Sequence, residues 1–128
     1  MDYKNLWFPS PQQLSPEYWR GTKAELAAQS EAVGLPPLVG SYRQVSWAET
    51  LRVQFIIHAG EVVRTSDNPE QSTRFLGGVS IVLASRIDAA WWIESREDDL
   101  SQGCTNHTRK EAIDEAIPLW DKLNAGET

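Results

Sequence analysis

Cys104-Thr105-Asn106-His107 places a thiol and an imidazole three residues apart, which is half of the spacing used in zinc sites. A zinc site needs three or four ligands, and the other histidine of the chain, His58, falls just outside the apolar edge of a predicted helix. A catalytic Cys/His pair also needs an acid that orients the imidazole, and the sequence marks none. We therefore expect no metal ion, no cofactor and no catalytic residue.

Clustered carboxylates are the other chemical candidates. Arg96-Glu97-Asp98-Asp99 would suit acid–base chemistry or Mg²⁺ binding, but such a run is more often a solvated helix end. The chain contains no glycine-rich phosphate loop, no G-x-S-x-G and no H-E-x-x-H. The sequence predicts a protein that is not an enzyme, and an enzyme with a dispersed site ranks behind two binding functions.

The composition is that of an acidic chain rich in tryptophan. It has 128 residues, a net charge of −6, one cysteine and six tryptophans. One domain in a reducing compartment is expected, and the scarcity of basic residues argues against nucleic acid as a direct ligand. The N-terminus lacks a basic start followed by an apolar run, and no stretch is apolar enough to span a membrane. We expect a cytoplasmic protein without a membrane partner.

Helix signals divide the chain into an N-terminal arm, residues 1–14, and one helical domain, residues 15–128. Ser15-Pro16-Glu17 and a capping box at Thr22-Lys23-Ala24-Glu25 predict a first helix over 16–33, interrupted near Gly21. A box at Ser46-Trp47-Ala48-Glu49 predicts a second helix from Trp47 to about Arg64.

A third helical region is predicted to be broken or bent at Gly77-Gly78 and to continue as a central helix from Val79 to about Glu97. Thr108-Arg109-Lys110-Glu111 begins a last helix that is kinked by Pro118. Its inward residues are predicted to be Ala112, Ile113, Ala116, Ile117, Trp120 and Leu123.

These elements predict an all-α fold, a small bundle of four to five helices with an N-terminal arm. Residues 51–63 and 79–83 also alternate in the manner of strands. The alternative is therefore an α+β fold with a short antiparallel sheet.

Arg52 is a charge on an apolar face. At about 100° per residue it falls within the apolar half of the second helix. Glu94 falls in the apolar strip of the predicted central helix, and burial of either charge without a partner would be costly. We predict that Arg52 pairs with Glu94 across a helix interface; the alternative is that Arg52 extends to solvent.

Two stretches together resemble a family of uncharacterised proteins of bacteria, phages and plasmids. Residues 40–52, GSYRQVSWAETLR, resemble its G-[ST]-x-K-Q-x-x-W-A-E-x-[IL]-R segment, with Arg43 at the usual lysine. Residues 90–96, AWWIESR, resemble the A-x-W-W-I-[DE]-x-R segment that often follows, and Ala89 as the matching alanine restores the usual spacing. The likeness covers about residues 39–97. It implies a helical fold and a mobile-element setting, with no established activity and no catalytic residue.

Charge and aromatic placement predict a non-enzymatic module that binds another protein. If the resemblance holds, its concrete form is a phage or mobile-element inhibitor of a host nucleic-acid-handling (defence) system, acting on a nuclease or nucleoprotein complex through an acidic surface. The predicted partner-binding residues are Trp7, Phe8, Glu94, Glu97, Asp98, Asp99, Glu111, Asp114 and Glu115.

Two other interpretations stay open. A nucleic-acid-associated regulatory protein would need its scattered cations to cluster in space. Those cations are Arg20, Lys23, Arg43, Arg64 and Arg74. A homodimer is the second option, because exposed tryptophan would support self-association.

Overall fold

The computed structural model describes residues 6–19, 21–95 and 108–124. These residues form five helices and no strand, which confirms the all-α prediction. The helices are α1 (Lys23–Ala32), α2 (Tyr42–Arg64), α3 (Pro69–Ser85), α4 (Ala89–Glu94) and α5 (Thr108–Asn124). Residues 51–63 lie in α2 and 79–83 in α3, so the α+β alternative is wrong. Within the described ranges, no helix is long and apolar enough to cross a membrane.

The start of α1 follows the second of the two signals that the sequence offers. Thr22 and Glu25 form both halves of the capping box, and Gly21 precedes it with a φ of 109°. Residues 11–19 are a series of turns and not a helix. Within them, Trp19 donates from Nε1 to the carbonyl of Gln13 at 2.7 Å and is buried. The predicted start at residue 16 is therefore wrong.

Helix α2 begins at Tyr42, five residues before its predicted start at Trp47. The hydroxyl of Ser41 accepts from the Gln44 N–H at 3.2 Å, and Gln44 Oε1 accepts from the Ser41 N–H at 3.1 Å. A glutamine at the third position completes a capping box as well as a glutamate does. Ser46 consequently lies inside the helix, where it caps nothing.

Helix α3 runs through Gly77 and Gly78 without a break and ends at Ser85, so the predicted central helix over Val79 to Glu97 is wrong. The chain leaves the helical conformation because it pairs with the α1–α2 connector. Val39 donates to the carbonyl of Ile87 at 2.7 Å and accepts from the Ala89 N–H at 2.9 Å. Asp88 then caps α4 through the Ala90 N–H at 3.0 Å.

The core has two halves that share α3. On one side α2 contacts α1, α3 and α4, and the Phe55 ring meets the buried Trp92 ring edge-on at 5.1 Å. On the other side α5 packs on α3. Ala112, Ile113 and Ala116 are buried in that contact, and the other three predicted inward residues of α5 are partly buried against it.

Gly77 and Gly78 allow α5 to lie close to α3. A Cβ atom at Gly77 would overlap the indole ring of Trp120, and one at Gly78 would lie 2.9 Å from the carbonyl oxygen of Ile113. Two glycines that resemble a helix break in sequence are thus packing positions inside a continuous helix.

We expect Gly77→Ala to destabilise the protein by about 1–3 kcal/mol, because Trp120 must shift to admit the methyl group. On a helix surface without such a contact, the same change would stabilise the protein by up to about 1 kcal/mol. The sign of the change in the free energy of unfolding therefore distinguishes the two cases. Urea unfolding followed by circular dichroism measures it. Gln71→Ala, on the exposed part of α3, is the control and should stay within about 0.5 kcal/mol of wild type. A more stable Gly77→Ala variant would contradict this packing.

Candidate functional site

The described part of the N-terminal arm, from residue 6 onward, packs against the helical domain. Trp7 donates from Nε1 to the carbonyl of Val33 at the end of α1, at 2.9 Å. Phe8 stacks on Trp120 with ring centroids 5.5 Å apart, and 40% of its surface stays exposed. Two aromatic residues were predicted as anchors for a partner. The indole N–H of Trp7 is already used in a hydrogen bond within the molecule, whereas Phe8 keeps an exposed face.

The predicted acidic surface is only partly described. Glu111, Asp114 and Glu115 lie exposed on the outer face of α5, opposite its buried residues. Glu94 is exposed at the end of α4. Glu97, Asp98 and Asp99 lie outside the described residues, as do Cys104 and His107.

Buried Arg109 ties the first turn of α5 to the end of α4. Its Nε donates to the hydroxyl of Ser95 at 2.8 Å and its Nη2 donates to the carbonyl of Trp92 at 2.7 Å. The guanidinium also lies over the Trp92 ring, 5.3 Å from its centroid. The chain segment that carries Glu94 is therefore attached to the segment that carries Glu111.

Arg52 is buried, with 1% of its surface exposed, but its predicted pairing with Glu94 is wrong. Its Nη2 donates to Glu49 Oε2 at 2.9 Å, and its Nη1 donates to the carbonyl of Pro36 at 2.6 Å. The partner is three residues earlier on the same helix, a spacing that places two side chains side by side. Glu94 is not needed, and it faces solvent.

Burial lowers the pKa of the Arg52 guanidinium, and the attraction and hydrogen bond of Glu49 oppose that shift. Nε of Arg52 is also buried and has no hydrogen-bond partner among the described residues. Arg52 is thus a buried cation whose counter-charge comes from α2 and whose second contact holds the α1–α2 connector.

A cavity of about 520 Å³ lies between α1, the connector and the first turns of α2. We call it the α1–α2 cavity. Its size is within the range of ligand-binding pockets. Its apolar walls are formed by Ala24, Ala27, Leu35, Pro37, Leu38 and Val45.

The polar side of the α1–α2 cavity comes from the buried pair and its neighbours. Arg52, Glu49 and Ser46 line it from α2, and the exposed Glu31 lines it from α1. The side chain of Glu49 is 9% exposed, and only its Oε2 is bonded to Arg52. Neither its Oε1 nor the hydroxyl of Ser46 forms a hydrogen bond with another described residue. Two acceptors are therefore left without a partner on residues that line a largely apolar space.

Exposed apolar side chains lie on one lining residue of the cavity and on two residues linked to the lining through the backbone. Tyr42 lines it and is 90% exposed. Val39, next to the lining residue Leu38, is 60% exposed, and its backbone partner Ile87 is 40% exposed. We call Val39, Tyr42 and Ile87 the apolar rim. Sequence reasoning missed both cavity and rim. The i, i+3 spacing of Glu49 and Arg52 was the one local signal that could have indicated the polar side.

Arg52→Ala should lower the free energy of unfolding by about 3–5 kcal/mol, because Glu49 loses its buried partner. Arg52→Met should cost clearly less, since methionine keeps much of the packing of the aliphatic stem. Melting temperatures and urea unfolding compare the variants. Arg43→Ala, at an exposed position of the same helix, should stay within about 0.5 kcal/mol of wild type. Equal melting temperatures for wild type and both Arg52 variants would show that the Arg52–Glu49 pair does not contribute to the stability of the fold.

Comparison of the chain with protein families, with curated protein sequences and with solved structures finds no match in any of the three. The candidate site is therefore argued from the chemistry of its own residues.

Proposed function

We propose that this protein is a binding module for another protein and acts without catalysis. The observation that carries the proposal is the apolar rim beside the α1–α2 cavity. Tyr42 is a nearly fully exposed aromatic residue next to an open apolar space, and aromatic residues seated beside pockets contribute strongly to protein interfaces. Exposed apolar groups clustered in this way favour an interaction site over plain solvated surface.

The acidic face of α5 supplies a second, electrostatic contribution. Glu111, Asp114 and Glu115 form no ion pair with another described residue, and the chain carries a net charge of −6. Unpaired surface carboxylates steer association with a basic partner and raise the association rate more than the final affinity. With Glu94, and with Glu97, Asp98 and Asp99 that follow it in sequence, they favour a positively charged partner surface.

A basic partner surface agrees with the more specific form of the proposal. In this more specific proposal, the protein is a phage or mobile-element inhibitor in the cytoplasm that binds a host nuclease or nucleoprotein complex. Its carboxylates would occupy a groove that otherwise holds phosphates. The support for this setting is the resemblance over residues 39–97, together with the acidic charge.

The cations of the alternative, a nucleic-acid-associated regulator, are partly engaged within the molecule. Arg74 donates from Nε and Nη2 to the two carboxylate oxygens of Asp121 at 3.0 and 2.8 Å, which lowers the pKa of that carboxyl. Arg64 donates to the carbonyl of Leu14 at 3.4 Å. Arg20 lies outside the described residues. Phosphate binding would have to compete with these contacts, which supports a protein partner over nucleic acid.

Affinity capture from a bacterial lysate, at low and at moderate salt, tests the proposed function. We expect the wild-type chain to retain a specific protein that Tyr42→Ala retains less. The triple variant Glu111→Gln, Asp114→Asn, Glu115→Gln should retain less of this protein than wild type does, and the difference should be larger at moderate salt. Salt screens the electrostatic attraction that remains in the variant. Gln71→Ala is the control and should retain it as wild type does.

Recovery of no protein at either salt concentration would overturn the proposal. Salt-sensitive binding of the purified chain to a generic DNA duplex would instead favour the regulator.

A further inference from the structure

We propose that the α1–α2 cavity receives a lysine side chain from a peptide segment of the partner protein. This inference rests on the proposed function and adds the chemistry of recognition to it. The shape, the charge and the free hydrogen-bonding groups of the cavity each narrow the choice of occupant.

The walls of the cavity fit an apolar stem. Six aliphatic or proline side chains line a space of about 520 Å³, which is large enough for a lysine side chain and part of the segment that carries it, and apart from Glu31 on α1 the polar groups come from α2. A lysine has four methylene groups that can lie along such walls while its ammonium reaches a polar end. A short polar side chain would leave the walls in contact with water, and a fully apolar one would leave the acceptors of α2 without a partner.

The charge of the cavity favours a cation. Glu31 and Glu49 contribute two carboxylates, and Arg52 contributes one guanidinium, so the lining has one negative charge in excess. The charge of Arg52 is already met by Glu49, to which its Nη2 donates, and its Nη1 donates to the carbonyl of Pro36. An anionic ligand would therefore compete with Glu49 for the guanidinium and would be repelled by the carboxylates of Glu31 and Glu49.

The free acceptors favour an ammonium over a guanidinium. An arginine binds a carboxylate best when its planar fork meets both oxygens, but Glu49 Oε2 is already occupied by Arg52. The compact ammonium of lysine can donate to the one remaining oxygen of Glu49 and to the hydroxyl of Ser46. These two residues are three apart on α2 and so lie on the same face of the helix.

The apolar rim would contact the residues that flank the lysine. Val39 already uses its N–H and its carbonyl, with Ile87 and Ala89, so neither group is available to the backbone of a bound segment. Recognition of the flanking residues then depends on apolar contact with Tyr42 and Val39. The expected segment is a lysine between apolar residues.

Panning a random heptapeptide display library against the purified full-length chain tests the inference. We expect enrichment of peptides that contain a lysine flanked by apolar residues. In synthetic versions of these peptides, replacing that lysine with norleucine should weaken binding by about tenfold or more, since a hydrogen bond to a charged group is lost. Replacing it with arginine should weaken binding by a smaller factor.

Two matched variants locate the binding. Ala27→Phe places an aromatic ring in the cavity from α1 and leaves Glu49 and Arg52 unsubstituted, and it should abolish binding of the enriched peptides. Ala28→Phe places the same side chain on the exposed face of the same helix, outside the cavity lining, and should bind as wild type does. Glu31→Gln should weaken binding several-fold and reduce its dependence on salt. Circular dichroism checks that each variant is folded.

Several results would overturn the inference. These are no enrichment, enrichment without a basic residue, equal affinity for lysine and norleucine, or binding that Ala27→Phe leaves unchanged. If a lysate protein needs Tyr42 but is retained by Ala27→Phe, the proposed function stands and the lysine assignment fails. A dimer in sedimentation that Ala27→Phe abolishes would place a second copy of the chain in the cavity, which also refutes a foreign partner.

Discussion

The guanidinium of Arg52 is buried away from water, so the fold must supply a counter-charge and hydrogen-bond acceptors for it. Glu49 supplies the charge, and the carbonyl of Pro36 supplies the second acceptor. Through these two contacts a single side chain joins α2 to the connector that follows α1. The course of the connector, and with it the space between the two helices, depends on that buried cation.

The same pair determines what the α1–α2 cavity offers to a ligand. Arg52 occupies one carboxylate oxygen of Glu49 and leaves the other free beside Ser46, so a structural ion pair presents a single acceptor to an apolar space. Buried ion pairs often contribute little net stability, and a role in specifying one arrangement is a better reason for their presence. Here the specified arrangement is both the position of the connector and the polar end of the cavity.

Much of the fold was predictable from sequence because helix signals are local. The Thr22–Glu25 box and the apolar period of the last helix correctly predicted a helix and a buried face. The errors arose where two local signals compete or where a contact is distant in sequence. Ser41 and Ser46 both satisfy a capping pattern, and only the earlier one is used. Gly77 and Gly78 resemble a break until α5 is packed against them.

The candidate site was less predictable for a related reason. A cavity depends on how two helices and their connector are spaced, and no local pattern encodes that distance. Glu49 could be recognised from sequence as the i−3 neighbour of Arg52. Glu94, predicted on another helix, would have neutralised the Arg52 charge equally well, so the sequence did not distinguish the two partners. The acids of α5 could be assigned to an exposed face because helical periodicity alone determines it.

A double-mutant cycle between Glu49→Leu and Arg52→Met tests the central claim most directly, because it measures the coupling of the two residues through the free energy of unfolding. If the buried pair acts as a unit, Glu49→Leu is strongly destabilised because it leaves the Arg52 charge without a partner, and Arg52→Met is destabilised to a smaller extent. The double variant then recovers much of the combined loss, with a coupling of about 2 kcal/mol or more. Additive effects within about 0.5 kcal/mol would contradict the account, since Arg52 and Glu49 would then contribute independently.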